Sequence, residues 1–480
     1  MTQTIKRNGN PSICRAVVLV AVLAAGMLTS ACSKTWQDGG TKVTLSPDGT
    51  LRVSPQGVAY KTFGGGAQSD VMTFGGRMFD GGNERTWRRD SASITALIIE
   101  EGVTHIGRGA FEGLTALKSV TIPNTVTAIA DRAFAGCVRL TSVTIPDSVK
   151  FIGDKAFEGC AGLVSITIPG KVKSIGKSAF ESCRNLATVT IQSGVKSIGD
   201  FAFAGSNSLT SITIPRSVTS IGEAAFDCAN GPDSCPNVKS ITIPEGVVSI
   251  GKQAFRGLTG LTSVTIPKSV VYIGEGAFRK LTGLISVTIP ENVVSIGEGA
   301  FGGCKRLTSI NVNDGNSAYI SVGGVLFNKA QDTLIQYPAS ANGSTYTIPN
   351  KVKTIGKYAF SGSNLTSVII PNSVKTIGVN AFSVCNGLTS VIIPQSVTFI
   401  GDWAFGNCPA LTSVTSLNPI PPVLGGRFEG EGAWKVFINY DNNDEVVPKT
   451  DTLYVPKSSI TAYKQAPGWS EFKEILPIAK

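Results

Sequence analysis

One phrase recurs along this chain at intervals of 23 residues: Ile-Pro, two residues, Val, two residues, Ile-Gly, two residues, Ala-Phe. The copy from Ile145 to Thr167 reads IPDSVKFIGDKAFEGCAGLVSIT. Its Ala-Phe pair returns at Phe111, Phe134, Phe157, Phe180, Phe203, Phe226, Phe255, Phe278, Phe301, Phe360, Phe382 and Phe405, twelve copies in 480 residues. A unit this short cannot bury an apolar face alone and must stack on its neighbours, so the period predicts a solenoid rather than a set of globular domains. Solenoids offer extended surfaces for binding far more readily than enclosed catalytic pockets.

Within a unit, Leu140, Val143 and Ile145 carry the spacing L-x-x-V-x-I. Val143 and Ile145 are expected to point inward and Ser142 and Thr144 outward, the period-2 signature of a strand. Pro146 ends that strand, since it donates no ladder hydrogen bond. Val149 and Ile152 turn inward, Gly153 permits a bend, and Phe157 inserts a ring beside Ala156. Each buried ring is worth roughly 1.5–3 kcal/mol. The fold class is therefore a β-rich, leucine-rich-repeat solenoid, a parallel sheet of 23-residue repeats closed by caps at both ends.

The organisation follows from where the phrase starts, breaks and stops. Residues 1–31 read as a signal peptide: Lys6, Arg7 and Arg15 precede the apolar run Ala16 to Leu28, too short to span a bilayer comfortably. The run ends Leu28-Thr29-Ser30-Ala31-Cys32, which resembles a bacterial lipobox with Cys32 as the lipidated residue, although Thr29 stands where an aliphatic residue is usual. Residues 32–41 read as a polar tether and 42–93 as an N-terminal β cap containing the hairpin VTLSPDGTLRV. Repeats are expected over 94–310, a β island over 311–347, more repeats over 348–416, and a C-terminal cap with one strand and one short helix over 417–480. Without residues 1–31 the net charge falls from +10 to +7, with the basic residues spread along the repeats. That distribution favours a solvated charge ladder over a polyanion site, and no nucleic-acid partner is expected.

The repeat, the island's SVGGVLFNK and LIQYP, and the ending with LYVPK, AYK and GW together resemble BspA-like leucine-rich repeat proteins of the treponemal type. The match covers about residues 94–480, and the stretch GTLRVSPQG, Trp87 and SITALIIEEGV looks like the lead-in often attached to that family. The resemblance implies an exported, cell-surface or outer-membrane bacterial protein that adheres to host matrix proteins or other cells. It transfers no catalytic residue and fixes no binding residue.

Chemistry-bearing candidates are few. The single histidine, His105, shares a variable slot with Ala128, Phe151, Ser174 and Ser197 and reads as a surface side chain. Gly297 to Gly302 matches G-x-G-x-x-G only as text, and Gly170 to Ser178 misses P-loop spacing by one residue. No catalytic, cofactor-binding or metal-ligating residue is expected. Cys137, Cys160, Cys183, Cys304, Cys385 and Cys408 each follow a column Phe by three residues, where Leu114, Leu258 and Leu281 also stand. Exchange with Leu favours packed thiols over a rung-to-rung disulfide or a metal. Cys228 and Cys235 lie instead in a six-residue insertion, where an oxidising compartment permits a bridge or leaves two more packed cysteines.

Exposed aromatics complete the inventory. Phe151, Tyr272 and Phe399 occupy the slot before Ile-Gly, while Phe201, Tyr358 and Trp403 precede Ala-Phe. Phe399, Trp403 and Tyr358 are the candidate binding residues. The outward strand column, Ser119, Thr121, Ser142, Thr144, Ser165, Thr167, Ser211 and Thr213, is too uniform to encode a ligand. The sequence thus points to a lipid-anchored, non-catalytic surface solenoid that binds macromolecular partners, chiefly proteins, and reaches the membrane through its N-terminal lipid. A glycan-binding module, favoured by the aromatics, and a passive spacer, favoured by the uniform column, remain the alternatives.

Overall fold

The computed structural model describes residues 33–38, 41–55, 91–228, 235–425, 436–440, 446–448 and 452–479. Each repeat contributes a long strand, such as Ser165–Ile168, and a two-residue short strand, such as Ser174–Ile175. Both pair in parallel with the next unit, 23 residues on: Ile166 faces Val189, and Ile175 faces Ile198. The short strands from His105–Ile106 to Ser295–Ile296 form one nine-stranded sheet in strict chain order. The long strands are parallel too, but they divide into several sheets instead of the single sheet expected. One division falls at the 29-residue unit, where the long strand shrinks to a lone bridge between Thr242 and Thr265 just after the insertion. Proline closes the long strand as expected, and its carbonyl accepts the amide three residues on (Val149 to Pro146, 3.0 Å; Val172 to Pro169, 3.1 Å).

Opposite the short strands runs a third inter-rung ladder that the pattern did not announce. The amides of Arg132, Phe134 and Gly136 donate to the carbonyls of Asp154, Ala156 and Glu158 in the next rung, at 2.9, 2.8 and 2.7 Å. On the short-strand side the donor belongs to the later rung, as in Gly176 to Ile152 at 3.1 Å. The Ile-Gly glycine does something other than permit a bend. A Cβ on Gly176 would lie 2.4 Å from the Gly153 carbonyl carbon, so the column is glycine because successive rungs touch there.

Nine phenylalanines, Phe111 to Phe301, stack in the core with ring centroids 5.1 to 5.7 Å apart and are almost wholly buried. That spacing suits offset stacking. The column resumes after the island with Tyr337, then Phe360, Phe382 and Phe405, and ends on Phe437.

The island is an antiparallel trio, Tyr319–Val322, Val325–Asn328 and Thr333–Gln336. Its middle strand serves two cores by simple alternation. Leu326 joins the core that runs back to Val43, whereas Val325 and Phe327 join the one that runs on to Ile475. The hydrophobic stack is thus two blocks sharing a wall, not the single uninterrupted core that the repeat alone predicts.

At the N-terminus, Thr41–Leu45 and Thr50–Pro55 form the expected hairpin, and Thr50–Pro55 pairs in parallel with Ala96–Ile99. Lys34–Asp38 is a strand antiparallel to Thr41–Leu45, so most of the segment read as a tether belongs to the cap. Polar side chains do not prevent this, because pairing at a sheet edge is made by the backbone. At the C-terminus Thr452–Val455 and Glu474–Pro477 extend the last long-strand sheet in parallel, and with Val423–Leu424 and the antiparallel pair Ile438–Tyr440 and Val446–Pro448 the cap holds more strands than the one expected. The short helix Ile460–Gln465 and the turn after it close the final rung with Tyr463 and Trp469, both fully buried. The Tyr463 hydroxyl meets Ser416 Oγ at 2.6 Å, and Trp469 Nε1 donates to the Pro422 carbonyl at 2.8 Å. No described helix is long and apolar enough to cross a membrane.

Candidate functional site

The six column cysteines are buried free thiols. Each Sγ donates to the carbonyl of the preceding rung's phenylalanine, as in Cys137 to Phe111 at 3.3 Å and Cys304 to Phe278 at 3.2 Å. Burial pushes the Cys183 and Cys304 thiols up to about 12, so neither is a nucleophile at neutral pH. Cys228 and Cys235 are bonded sulfur to sulfur with Cα atoms 5.7 Å apart, and both are buried. Cys32 lies outside the described residues.

His105 is half-buried rather than a freely exposed side chain, because its slot is a strand position of the short-strand sheet. Its Nδ1 lies 2.9 Å from Thr104 Oγ1, and burial lowers its pKa. Among the described residues no group of three His, Cys, Asp or Glu is placed to hold a metal ion.

A groove of about 450 Å³ lies where the two blocks meet. Its origin is a dislocation of the stack. The nine-stranded sheet stops at Ser295–Ile296, and the next short-strand sheet begins with the island. The Ile296 amide donates to the Tyr319 hydroxyl at 2.7 Å instead of to another strand. Ile296 is therefore only partly buried, whereas Ile250, Ile273 and their earlier equivalents are covered by the next rung.

The floor of the groove continues onto a register row. Thr333, Thr354, Thr376 and Phe399 face one another across successive parallel strands, and Val423 follows Phe399. All four lining members of that row are half-buried. One wall holds the ion pair between Lys357 and Glu298, whose charges offset each other. Asp402 lines the far end. Its equivalents Asp131, Asp154 and Asp200 each accept a next-rung amide, at 3.0, 2.7 and 2.8 Å. Asp402 stands in the last regular rung, and its carboxylate accepts no hydrogen bond from the described residues.

The structure separates the three aromatic candidates. Phe399 lines the groove; Tyr358 and Trp403 do not. Tyr358 packs over Gly299 and Gly302 across the joint, with the Arg279 guanidinium 4.1 Å from its ring centroid. Trp403 lies over Gly406 of its own rung. Sequence reading passed over two other features. The threonine row was hidden because the island displaces Thr333 from the repeat register. The exposed pair Ile369 and Ile392 was legible: both replace the outward Thr of Val-Thr-Ile and stand 58% and 55% exposed.

The sequence profile described as the BspA type leucine rich repeat region (6 copies) matches residues 89–193, 150–231, 233–342 and 335–430. The chain belongs to the BspA-type leucine-rich repeat family. Solved structures agree with this protein in fold. A leucine rich cell surface protein from Faecalibacterium prausnitzii A2-165 is 24% identical, with 94% of this chain and 96% of that one covered and a TM-score of 0.52. A leucine-rich repeat protein from Bacteroides ovatus ATCC 8483 is 23% identical, with 93% and 98% covered and a TM-score of 0.50. No functionally curated sequence matches the BspA-type chain. The family expectation and the parallel solenoid read from the repeat both hold.

Proposed function

We propose that this BspA-type protein is a non-catalytic binding protein, anchored by lipid at Cys32 and displayed on a bacterial surface, that engages a protein partner through the outward face of its long strands. The observation that carries this reading is the extended exposed face itself. Ser119, Thr121, Ser142, Thr144, Ser165, Thr167, Ser211 and Thr213 are all exposed along the first block. Ile369 and Ile392 interrupt the equivalent column with apolar surface in the second. The Faecalibacterium neighbour, named as a cell surface protein, supports the placement. Burial holds the Cys183 and Cys304 thiols protonated, and the single histidine is half-buried with Thr104 as its neighbour, which favours binding over catalysis.

The test uses the full chain expressed with its N-terminal segment. Cys32→Ala should release the protein from the membrane fraction and abolish labelling by a palmitate analogue; retained labelling would remove the lipid anchor from this reading. Ile369→Thr with Ile392→Thr returns both units to the chain's own Val-Thr-Ile and should leave the melting temperature unchanged. Capture of extracellular-matrix proteins should fall about tenfold, within the range for apolar interface anchors. Wild-type protein that captures none of them, or variants that capture them equally well, would refute binding through this face.

A further inference from the structure

The groove at the joint is unassigned by the family and does not lie on the long-strand face. We propose that it is a binding site for a short segment of neutral oligosaccharide. Its volume of about 450 Å³ is that of a small-ligand site rather than a protein interface. Its lining combines the two chemistries that a sugar ring presents. Thr333, Thr354 and Thr376 set hydroxyls in a row, one per strand, at the strand spacing of about 4.8 Å. Each hydroxyl both donates and accepts, which suits the polyhydroxyl edge of a saccharide. Phe399 continues the row with an aromatic ring for the C–H face of the same molecule.

Charge selects among polyhydroxyl and aromatic ligands. Lys357 is neutralised by Glu298, so the groove holds no free cation among the described residues to attract a sulfate, phosphate or carboxylate. Asp402 lines the end of the row, and among the described residues no cation pairs with its carboxylate. That carboxylate repels anionic ligands and accepts strong hydrogen bonds from sugar hydroxyls. In other rungs the same aspartate is occupied by the backbone of its successor. Asp402 accepts no such bond from the described residues.

The experiment titrates the full mature chain with cellobiose, lactose, mannobiose and N,N′-diacetylchitobiose, and probes a printed array of neutral, sialylated and sulfated oligosaccharides. Binding of at least one neutral glycan is expected. It should weaken at least tenfold in Phe399→Ala and in Asp402→Asn, and several-fold in Thr376→Val, a near-isosteric change that keeps the strand. Melting temperatures of the variants establish that the fold is retained. Absence of neutral-glycan binding up to millimolar concentration would overturn the proposal. So would neutral binding that survives all three substitutions, or binding confined to sulfated and sialylated glycans. Capture of matrix proteins is read separately with the isoleucine variants, so either reading can fail alone.

Discussion

At the scale of single residues, the arch before and after each column ring places side chains in a backbone conformation they disfavour. The residue before Ala-Phe has positive φ in every regular unit, including Lys155 at 59°, Tyr358 at 58° and Trp403 at 59°. A second left-handed position lies two residues after the ring, where Gly136, Gly159 and Gly205 are natural at 73°, 69° and 71°. Val384 occupies that position at 59°, an outlier for a β-branched residue. The inter-rung ladder holds it there, since its amide donates to the Gly406 carbonyl at 2.9 Å. Val384→Gly should therefore raise stability by about 1 kcal/mol, the strain of a left-handed non-glycine residue. The mirror change Gly159→Val should cost about 1–2 kcal/mol although no atom lies within 3.4 Å of the new Cβ. Urea titration of both variants decides it; a loss on Val384→Gly would mean that the side chain's packing outweighs the strain.

At the scale of elements, what repeats must satisfy is a rung, and a rung does not require the consensus letters. Gln336-Tyr337 and Val436-Phe437 replace Ala-Phe. Tyr337 donates to Ala359 at 2.7 Å and Phe405 to Val436 at 2.9 Å, the same bonds that join regular units. Gln336 fills the alanine position by folding its amide onto the Tyr337 and Ala359 carbonyls, each at 3.1 Å. Phe437→Ala should then cost roughly 3–5 kcal/mol, like Phe203→Ala inside the repeats, while exposed Lys150→Ala stays within about 0.5. A Phe437 effect no larger than that of Lys150 would remove it from the column.

The phrase made the long strand, the proline stop, the aromatic column and the packed thiols legible, because each is a periodic choice of side chain. The short-strand sheet and the arch ladder were not, because backbone amides carry them and the residues at their outward slots vary freely from His105 to Phe399. The groove was hidden for a related reason. It arises where the period fails, and among its lining residues Val379, which replaces the charged residue after Ile-Gly, departs most visibly from its column.

At the scale of the whole molecule, two hydrophobic cores meet at the island, whose strands contribute side chains to both. Leu326 belongs to one and Val325 and Phe327 to the other. Other ties across the joint include the Tyr319 hydroxyl on the Ile296 amide, the Lys357–Glu298 ion pair, Arg279 over Tyr358, and Ser340, whose amide and hydroxyl donate to the Leu307 and Lys305 carbonyls at 2.8 and 2.7 Å. Partly buried ion pairs and cation–π contacts of this kind contribute about 0.5–2 kcal/mol each, whereas neighbouring rungs within a block share a buried ring and three backbone ladders. Stability in a solenoid is nearly a sum of nearest-neighbour terms, so its weakest interface sets the boundary of cooperative opening. The blocks should open separately. Phe203→Ala should accelerate amide exchange across residues 94–310 in mild urea and leave 348–416 close to wild type. Phe382→Ala should do the reverse. Each substitution removes roughly 3–5 kcal/mol from its own block alone. If either one accelerates exchange equally on both sides of the island, the joint is as strong as any other rung. The groove would then be a dent in one cooperative body rather than the seam between two.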